Sequence, residues 1–260
     1  YSSEIKCIQY LEKKCLDEDI STVNNFINIG QLDSTDNTFF KKVKRFPRAT
    51  YTKINKDNLS KSSEKYWELK NRKIRFNKDD LRKIFLDSVN IHFRSDFKIG
   101  LALSSGLDST SIAAAAVHNN IKFDSYTSTH KNNIEEISLV DITARKLNIN
   151  NIKVSPENVQ NLHTIDFLIH HLDQPFKSSG TLNQFSIHKK MLEDGCRVII
   201  TGGAADEILA GYTKCLPFYF ADLIKNGRLI FLTKQIFGLK EFTNKSYFSN
   251  FKDLISKTFP

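Results

Sequence analysis

The chain has 260 residues, 40% hydrophobic and 26% charged, a composition of an ordinary globular protein sized for one large domain or a domain with an appendage. No apolar run approaches the ~20 residues of a membrane span, and the start, YSSEIKCIQYLEKK, lacks the apolar core of a signal peptide and also an initiating Met, so it is not read as a natural N-terminus. The few, widely spaced cysteines, read as reduced, give the cytoplasm as the expected location. The net charge of +9 is mostly Lys, and without a nucleic-acid motif beside it the excess reads as dispersed solvated side chains rather than a nucleic-acid face.

In chain order, CIQYLEKKCL and STVNNFINIG carry apolar residues at helical spacing, with Ser21 and Thr22 as caps and Gly30 as the stop. Residues 38–54 are β-branched and aromatic but broken at Pro47, which predicts a hairpin or edge strand. Residues 55–67 are polar and read as a linker. KDDLRKIFLDSVNIHF is an amphipathic helix with Leu81, Ile84, Phe85 and Val89 on one face. An alternation follows: strand KIGLALS, helix 108–120, strand FDSYTSTH, helix 133–148 with Ile137, Val140 and Ala144 along it, and strand NIKVSP. Helices over 159–173 and 180–195 then precede strand RVIITG. This alternation predicts an α/β fold, a doubly wound, mainly parallel sheet of five strands with helices on both faces. Residues 207–260 read as a helical extension, with helices over EILAGY, FYFADLIKNG, LIFLTKQIFG and FSNFKDLISKTF.

In such a sheet, ligands bind beyond the carboxyl ends of the strands. Ser104, Ser105 and Gly106 occupy one such end, directly before a helix, where small residues let main-chain N–H groups approach phosphate oxygens. Ser104, Ser105 and Ser109 add hydroxyl donors. Asp108 fits beside phosphate if a Mg²⁺ ion lies between them, and it fits equally as a cap of the helix. The loop has neither a Walker Gly-Lys-Ser/Thr nor a G-x-G-x-x-G pattern. IITGGAADEILAGY forms a second strand–turn–helix with Asp206 and Glu207 at the helix start. Capping explains one acidic residue there, but not the permissive glycines beneath both sites.

Cys7, Cys15, Cys196 and Cys215 include no C-x-x-C pair and read as reduced, partly buried thiols, Cys7 packed in a helical core pattern. His92, His118, His130, His163, His170, His171 and His188 show no metal-ligand spacing.

LSSGLDST resembles the S-G-G-x-D-S loop of the ATP-pyrophosphatases, which cleave ATP between the α- and β-phosphates. TGGAADEILAGY resembles the S-G-E-G-A-D-E-L-F-G-G-Y segment of the asparagine synthetase and β-lactam synthetase branch. Glu135 and Glu136 match the acidic pair of that branch's D-E-x-x-x-A helix, and Asp173, Pro175 and Phe176 its D-x-P-F segment. FFKKVKRFPRATY with Tyr66-Trp67 resembles the junction between its glutaminase and synthetase domains. The resemblance implies an adenine nucleotide alpha hydrolase-like fold, with residues 1–60 the remnant of a glutaminase domain and linker, and residues 61–260 a synthetase domain incomplete at its C-terminus.

It further implies ATP and Mg²⁺. Ser104, Ser105, Gly106 and Ser109 would hold the pyrophosphate portion, Asp108 and Asp206 would be the metal ligands and catalytic carboxylates, and Leu103, Ser128 and Gly202 would line adenine and ribose. A carboxylate, aspartate or another acid, would attack the α-phosphate to form an acyl-adenylate, and glutamine-derived ammonia from a missing glutaminase domain would displace AMP. The family's Glu and following Gly in the second motif are here Gly203 and Ala204, which brings a catalytically impaired nucleotide-binding module in as the alternative. The family's later lysine has no counterpart in Lys214, Lys225 or Lys234. An RNA-modifying enzyme would need paired catalytic cysteines, and no membrane partner is expected; homodimerisation stays open.

Overall fold

The computed structural model describes residues 1–13, 16–70, 77–129, 134–209, 211–212 and 215–243, the side chains of 158 and 239–243 aside. Two helices, α1 (Ile5–Glu12) and α2 (Ile20–Ile29), open the chain. The hairpin β1 (Thr50–Ile54) and β2 (Lys61–Lys65) follows, and α3 (Lys78–His92) leads into the main sheet. Its strands are β3 (Ile99–Ala102), β4 (Asp124–Ser128), β5 (Asn150–Val154) and β6 (Val198–Ile200). All pair in parallel in the order β5-β4-β3-β6. Helices α4 (Leu107–His118), α5 (Ile134–Leu147), α6 (Leu162–Leu172) and α7 (Gly180–Glu193) connect them. After β6 come α8 (Ala205–Leu209), α9 (Leu216–Lys225) and α10 (Leu229–Thr243).

The central strands β3 and β4 are buried on both faces, as the middle of a parallel sheet requires, and the side chains of the sheet alternate between two cores. Leu101 and Leu103 turn to one side, packing with Ala113 of α4 and Val140 of α5. Tyr126 and Val154 turn to the other, packing with Met191 of α7 and Cys196. The alanines of α4 serve both its neighbours: Ala113 meets the sheet, while Ala115 and Ala116 let α3 approach through Val89. Strand β3 is followed by β4 on one side while β6 lies on its other side, so the carboxyl edge between β3 and β6 is the switch point at which doubly wound sheets form their ligand crevice.

Several expectations change. The sheet has four strands among the described residues rather than five. The α2 cap is Asp19, whose carboxylate accepts from the Thr22 N–H at 3.0 Å, so Thr22 is the capped residue rather than the cap. Gly30 does end that helix, at φ +63°. Much of the linker forms β2; its residues KSSEK are all exposed, so no apolar alternation marks the strand. The buried face of α3 is Leu86 and Val89, continued by Phe93 just past its end, and Leu81, Ile84 and Phe85 face solvent. Cys7 is exposed rather than packed. The charge is also not dispersed: residues 41–70 hold ten Lys and Arg against three acidic residues, most of the chain's +9. The EILAGY helix is the short α8, and residues 248–259 lie outside the described residues. Among the described residues no helix is long and apolar enough to cross a membrane.

Candidate functional site

The crevice is built by the loops that follow β3 and β6. The Leu103 N–H bonds to the Tyr126 carbonyl (2.8 Å), and the Leu103 carbonyl accepts from the Thr127 hydroxyl (2.8 Å). These bonds extend the sheet to the last residue before the turn and fix where the turn begins.

Within the turn, Ser109 is the staple. Its hydroxyl is buried, accepts from the Ser104 N–H at 3.0 Å and lies 2.9 Å from the Ser104 hydroxyl. It also reaches the Ser104 carbonyl at 3.2 Å, while the Gly106 N–H donates to the Ser104 hydroxyl at 3.2 Å. Ser109 therefore shapes the loop from within, leaving Ser104, Ser105 and Gly106 exposed at the mouth. Gly106 caps α4 without a side-chain bond, so the unsatisfied N–H groups of the first turn present a favourable end for an anion.

Gly202 joins the second loop to the first. A methyl added there would lie 2.9 Å from the Ser109 main-chain nitrogen and 3.0 Å from the Asp108 Cβ. The two strand–turn–helix units thus meet backbone to backbone, and only a residue without a side chain permits the approach. Gly211 does the same for Asp206, whose carboxylate fills the space a side chain at 211 would take. The Gly211 N–H returns to the Asp206 carbonyl at 3.0 Å.

Asp108 and Asp206 are both half-buried at the starts of α4 and α8. Tyr212 follows the second loop. Its hydroxyl donates to Glu207 at 2.8 Å. That bond, then burial, then the charges of Glu207, Asp206 and Asp108 hold its pKa above the usual tyrosine value. No cluster of three or more His, Cys, Asp or Glu able to hold a metal occurs among the described residues. Two carboxylates suit Mg²⁺, which ordinarily takes the rest of its oxygens from phosphates and water.

At the end of β4, the Ser128 hydroxyl is buried without a hydrogen-bond partner. Buried hydroxyls are normally satisfied, so this orphaned group, beside the β3 turn, fits a position awaiting a polar ligand atom. Gly203 carries no carboxylate, and Ala204 sits at φ +70°, the left-handed region that favours glycine. Glu135 and Glu136 open α5. Lys214 lies outside the described residues, Lys225 falls in the last turn of α9 and Lys234 in α10. Tyr212 and Gly211 had no role in the sequence reading; the G-Y at the end of the second motif was their signal.

The family model for asparagine synthase matches residues 80–247. Asparagine synthetase [glutamine-hydrolyzing] 1 of Bacillus subtilis (strain 168) is 31% identical over 137 residues, covering 51% of this chain and 21% of that protein. Asparagine synthetase [glutamine-hydrolyzing] 2 of the same organism is 28% identical over 207 residues, covering 69% and 26%. Among solved structures, an NMN synthetase from Francisella tularensis overlaps 54% of this chain and 60% of its own at 15% identity, with a TM-score of 0.38. The chain spans about a quarter of the length of the curated relatives it matches. The matched region runs from the start of α3 past the end of α10, taking in all four parallel strands and both crevice loops, and the chain belongs to the asparagine synthase family.

Proposed function

We propose that this chain is the ATP-using part of an amide-forming ligase, one that adenylates a carboxylate so that ammonia can displace AMP. In this reading residues 1–60 are the end of a glutaminase-type domain, residues 61–260 belong to the synthetase part, and ammonia derives from glutamine. The observation that carries it is the contact of Gly202 with Asp108 and Ser109, which makes one site of two loops.

The turn at Ser104–Gly106 and the N-terminus of α4 would hold the pyrophosphate portion of ATP through main-chain N–H groups and the Ser104 and Ser105 hydroxyls. Asp108 and Asp206 would hold Mg²⁺, which when bound neutralises phosphate charge. The orphaned Ser128 hydroxyl, the Leu103 main chain and Gly202 would border the nucleoside. Attack by a carboxylate on the α-phosphate asks chiefly for positioning and charge stabilisation, and this set of groups supplies both. The acid is aspartate or another small carboxylic acid.

Calorimetry with ATP and Mg²⁺ tests the reading: binding is expected in the native chain and at least ~10-fold weaker in Asp108→Ala, a loss of roughly 1.4 kcal/mol. No binding, or binding indifferent to that substitution, overturns it. Gly203 favours a second reading, a nucleotide-binding module without turnover. Pyrophosphate release assayed with ammonia across a panel of carboxylic acids separates the two, since a module that binds ATP and releases nothing with any acid is the second.

A further inference from the structure

Asp173 ends α6 at φ +56°, a left-handed position that Asp tolerates better than most residues. Its carboxylate does not serve its own helix. It accepts from the main-chain N–H groups of Ile5 (2.7 Å) and Lys6 (3.3 Å) at the start of α1. Glu4, the residue preceding α1, makes no capping bond, so the cap of α1 comes from a residue 168 positions away. The Lys6 ammonium lies 3.3 Å from the same carboxylate and donates to the His171 carbonyl at 3.1 Å. Arg45 donates to Gln174 at 2.9 Å, and the Lys177 side chain lies over Gly30.

Residues 171–177 are thus gripped from three places in the first 48 residues. Neither α1 nor α2 contributes a fully buried residue, and these polar contacts tie the N-terminal segment to residues 171–177 of the sheet domain. What they hold matters because α7 begins three residues later. Helix α7 packs on β4 and β5 and runs back toward the start of β6, which places its first turn at the carboxyl edge of the sheet. Ile187 packs in the core with Tyr126 and Val154. Asn183 is one turn nearer the edge on the same face, just as Ser128 is two residues nearer the edge than Tyr126 on β4. The Asn183 Oδ1, like the Ser128 Oγ, is buried without a partner.

We propose that Asp173 is a positioning residue through which residues 1–48 set the first turn of α7 at the nucleotide edge, so that docking of α1 and occupation of the crevice are coupled. The nucleotide half of this rests on the proposed function. The coupling is reciprocal: whatever orders the start of α7 tightens the grip on α1, and loss of that grip loosens α7.

Hydrogen exchange read by mass spectrometry on the full chain tests it, following residues 5–12, the first turns of α7, and β3–β4 as an internal reference. Without nucleotide, Asp173→Ala is expected to speed exchange roughly 5- to 30-fold in both α1 and the start of α7 and to leave the reference unchanged. Asp173→Asn, which keeps an acceptor for the two N–H groups, is expected to restore much of the protection. With ATP and Mg²⁺, native α1 gains protection and Asp173→Ala α1 does not. Lys6→Met, which leaves the carboxylate in place, is expected to weaken both regions by a smaller factor and serves if Asp173→Ala fails to fold. Loosening of α1 alone, with α7 unmoved in every variant, overturns the proposal and leaves Asp173 a cap only. If the native chain binds no ATP, the nucleotide reading fails, while the comparison without nucleotide still decides the positioning role.

Discussion

Replacing Gly202 by Ala tests the join between the two crevice loops. The added methyl would stand 2.9 Å from the Ser109 nitrogen, 3.0 Å from the Asp108 Cβ and 3.4 Å from the Asp108 carbonyl carbon. None of these atoms is the far end of a flexible side chain. Relief therefore requires the start of α4 to move, and overpacking of this kind costs about 1–3 kcal/mol. At about 2–4 °C per kcal/mol for a chain of this size, the melting temperature should fall by roughly 2–12 °C. The same shift displaces the N–H groups of the Ser104–Gly106 turn, so ATP affinity should drop by at least ~10-fold. The control is the adjacent residue. Ala at 203 meets only the Thr201 hydroxyl, at 3.3 Å, and its melting temperature should stay within about 1–2 °C of the native value. Thermal denaturation of both variants, followed by calorimetry, is the assay. If the two substitutions behave alike, the loops do not touch and the single-site argument fails.

Three further substitutions test other parts of the account. Ala204→Gly relieves an L-residue at φ +70°, and thermal denaturation should show a gain of about 0.5–1 kcal/mol after the greater flexibility of the unfolded glycine is counted. Met191 is fully buried against Tyr126 and Cys196, so Met191→Ala should cost about 2–5 kcal/mol in urea unfolding. Asp124 is held below its ordinary pKa of 3.8, first by its bond with Lys98 and then by Asn150. The stability it supplies is present above pH 3.8 and is lost as pH falls through the lower folded value. The stability gap between native chain and Asp124→Asn, measured by urea unfolding at successive pH values, should therefore be constant above about pH 5 and shrink below pH 3.8. A gap independent of pH would refute the assignment.

What the sequence disclosed was the local part. KIGLALS and RVIITG are short apolar runs ahead of turn residues, FDSYTSTH and NIKVSP carry β-branched and aromatic residues between helical patterns, and each became a parallel strand. The turn at Ser104–Gly106 was legible because strand, small residues and helix adjoin in sequence. Relations across the chain were not. Nothing in LDQPF announces that Asp173 caps a helix starting at Ile5, because the partner is remote and the acceptor ends another helix. KSSEK became a strand although both of its faces meet water, so hydrophobic periodicity had nothing to report. The four residues expected on one face of α3 occupied a plausible stripe, yet Leu86 and Phe93 pack beside Val89 against α4. Where the helix meets its neighbour decides between adjacent stripes, and that choice is tertiary.

Position 203 separates binding from turnover. The features of the crevice that would hold nucleotide are main-chain geometry, hydroxyls and, through Mg²⁺, the carboxylates of Asp108 and Asp206: the Ser109-stapled turn, the start of α4, the Gly202 contact, the orphaned Ser128 and the two acidic residues. None of these depends on residue 203. Its φ lies outside the left-handed region, and a side chain there would meet only the Thr201 hydroxyl, so the backbone accepts the glutamate that the family pattern carries. Gly203→Glu should therefore fold with a near-native melting temperature and bind ATP as the native chain does. If a carboxylate at 203 assists proton transfer, pyrophosphate release with a productive acid should rise by about 10²-fold, the lower end of what a positioned acid or base contributes. The measurement is pyrophosphate release by both forms at saturating ATP and ammonia across one acid panel. Equal rates in the presence of confirmed ATP binding would mean that the missing carboxylate does not limit this chain. A variant that fails to bind ATP would mean that residue 203 belongs to the nucleotide site itself, contrary to the geometry of the turn.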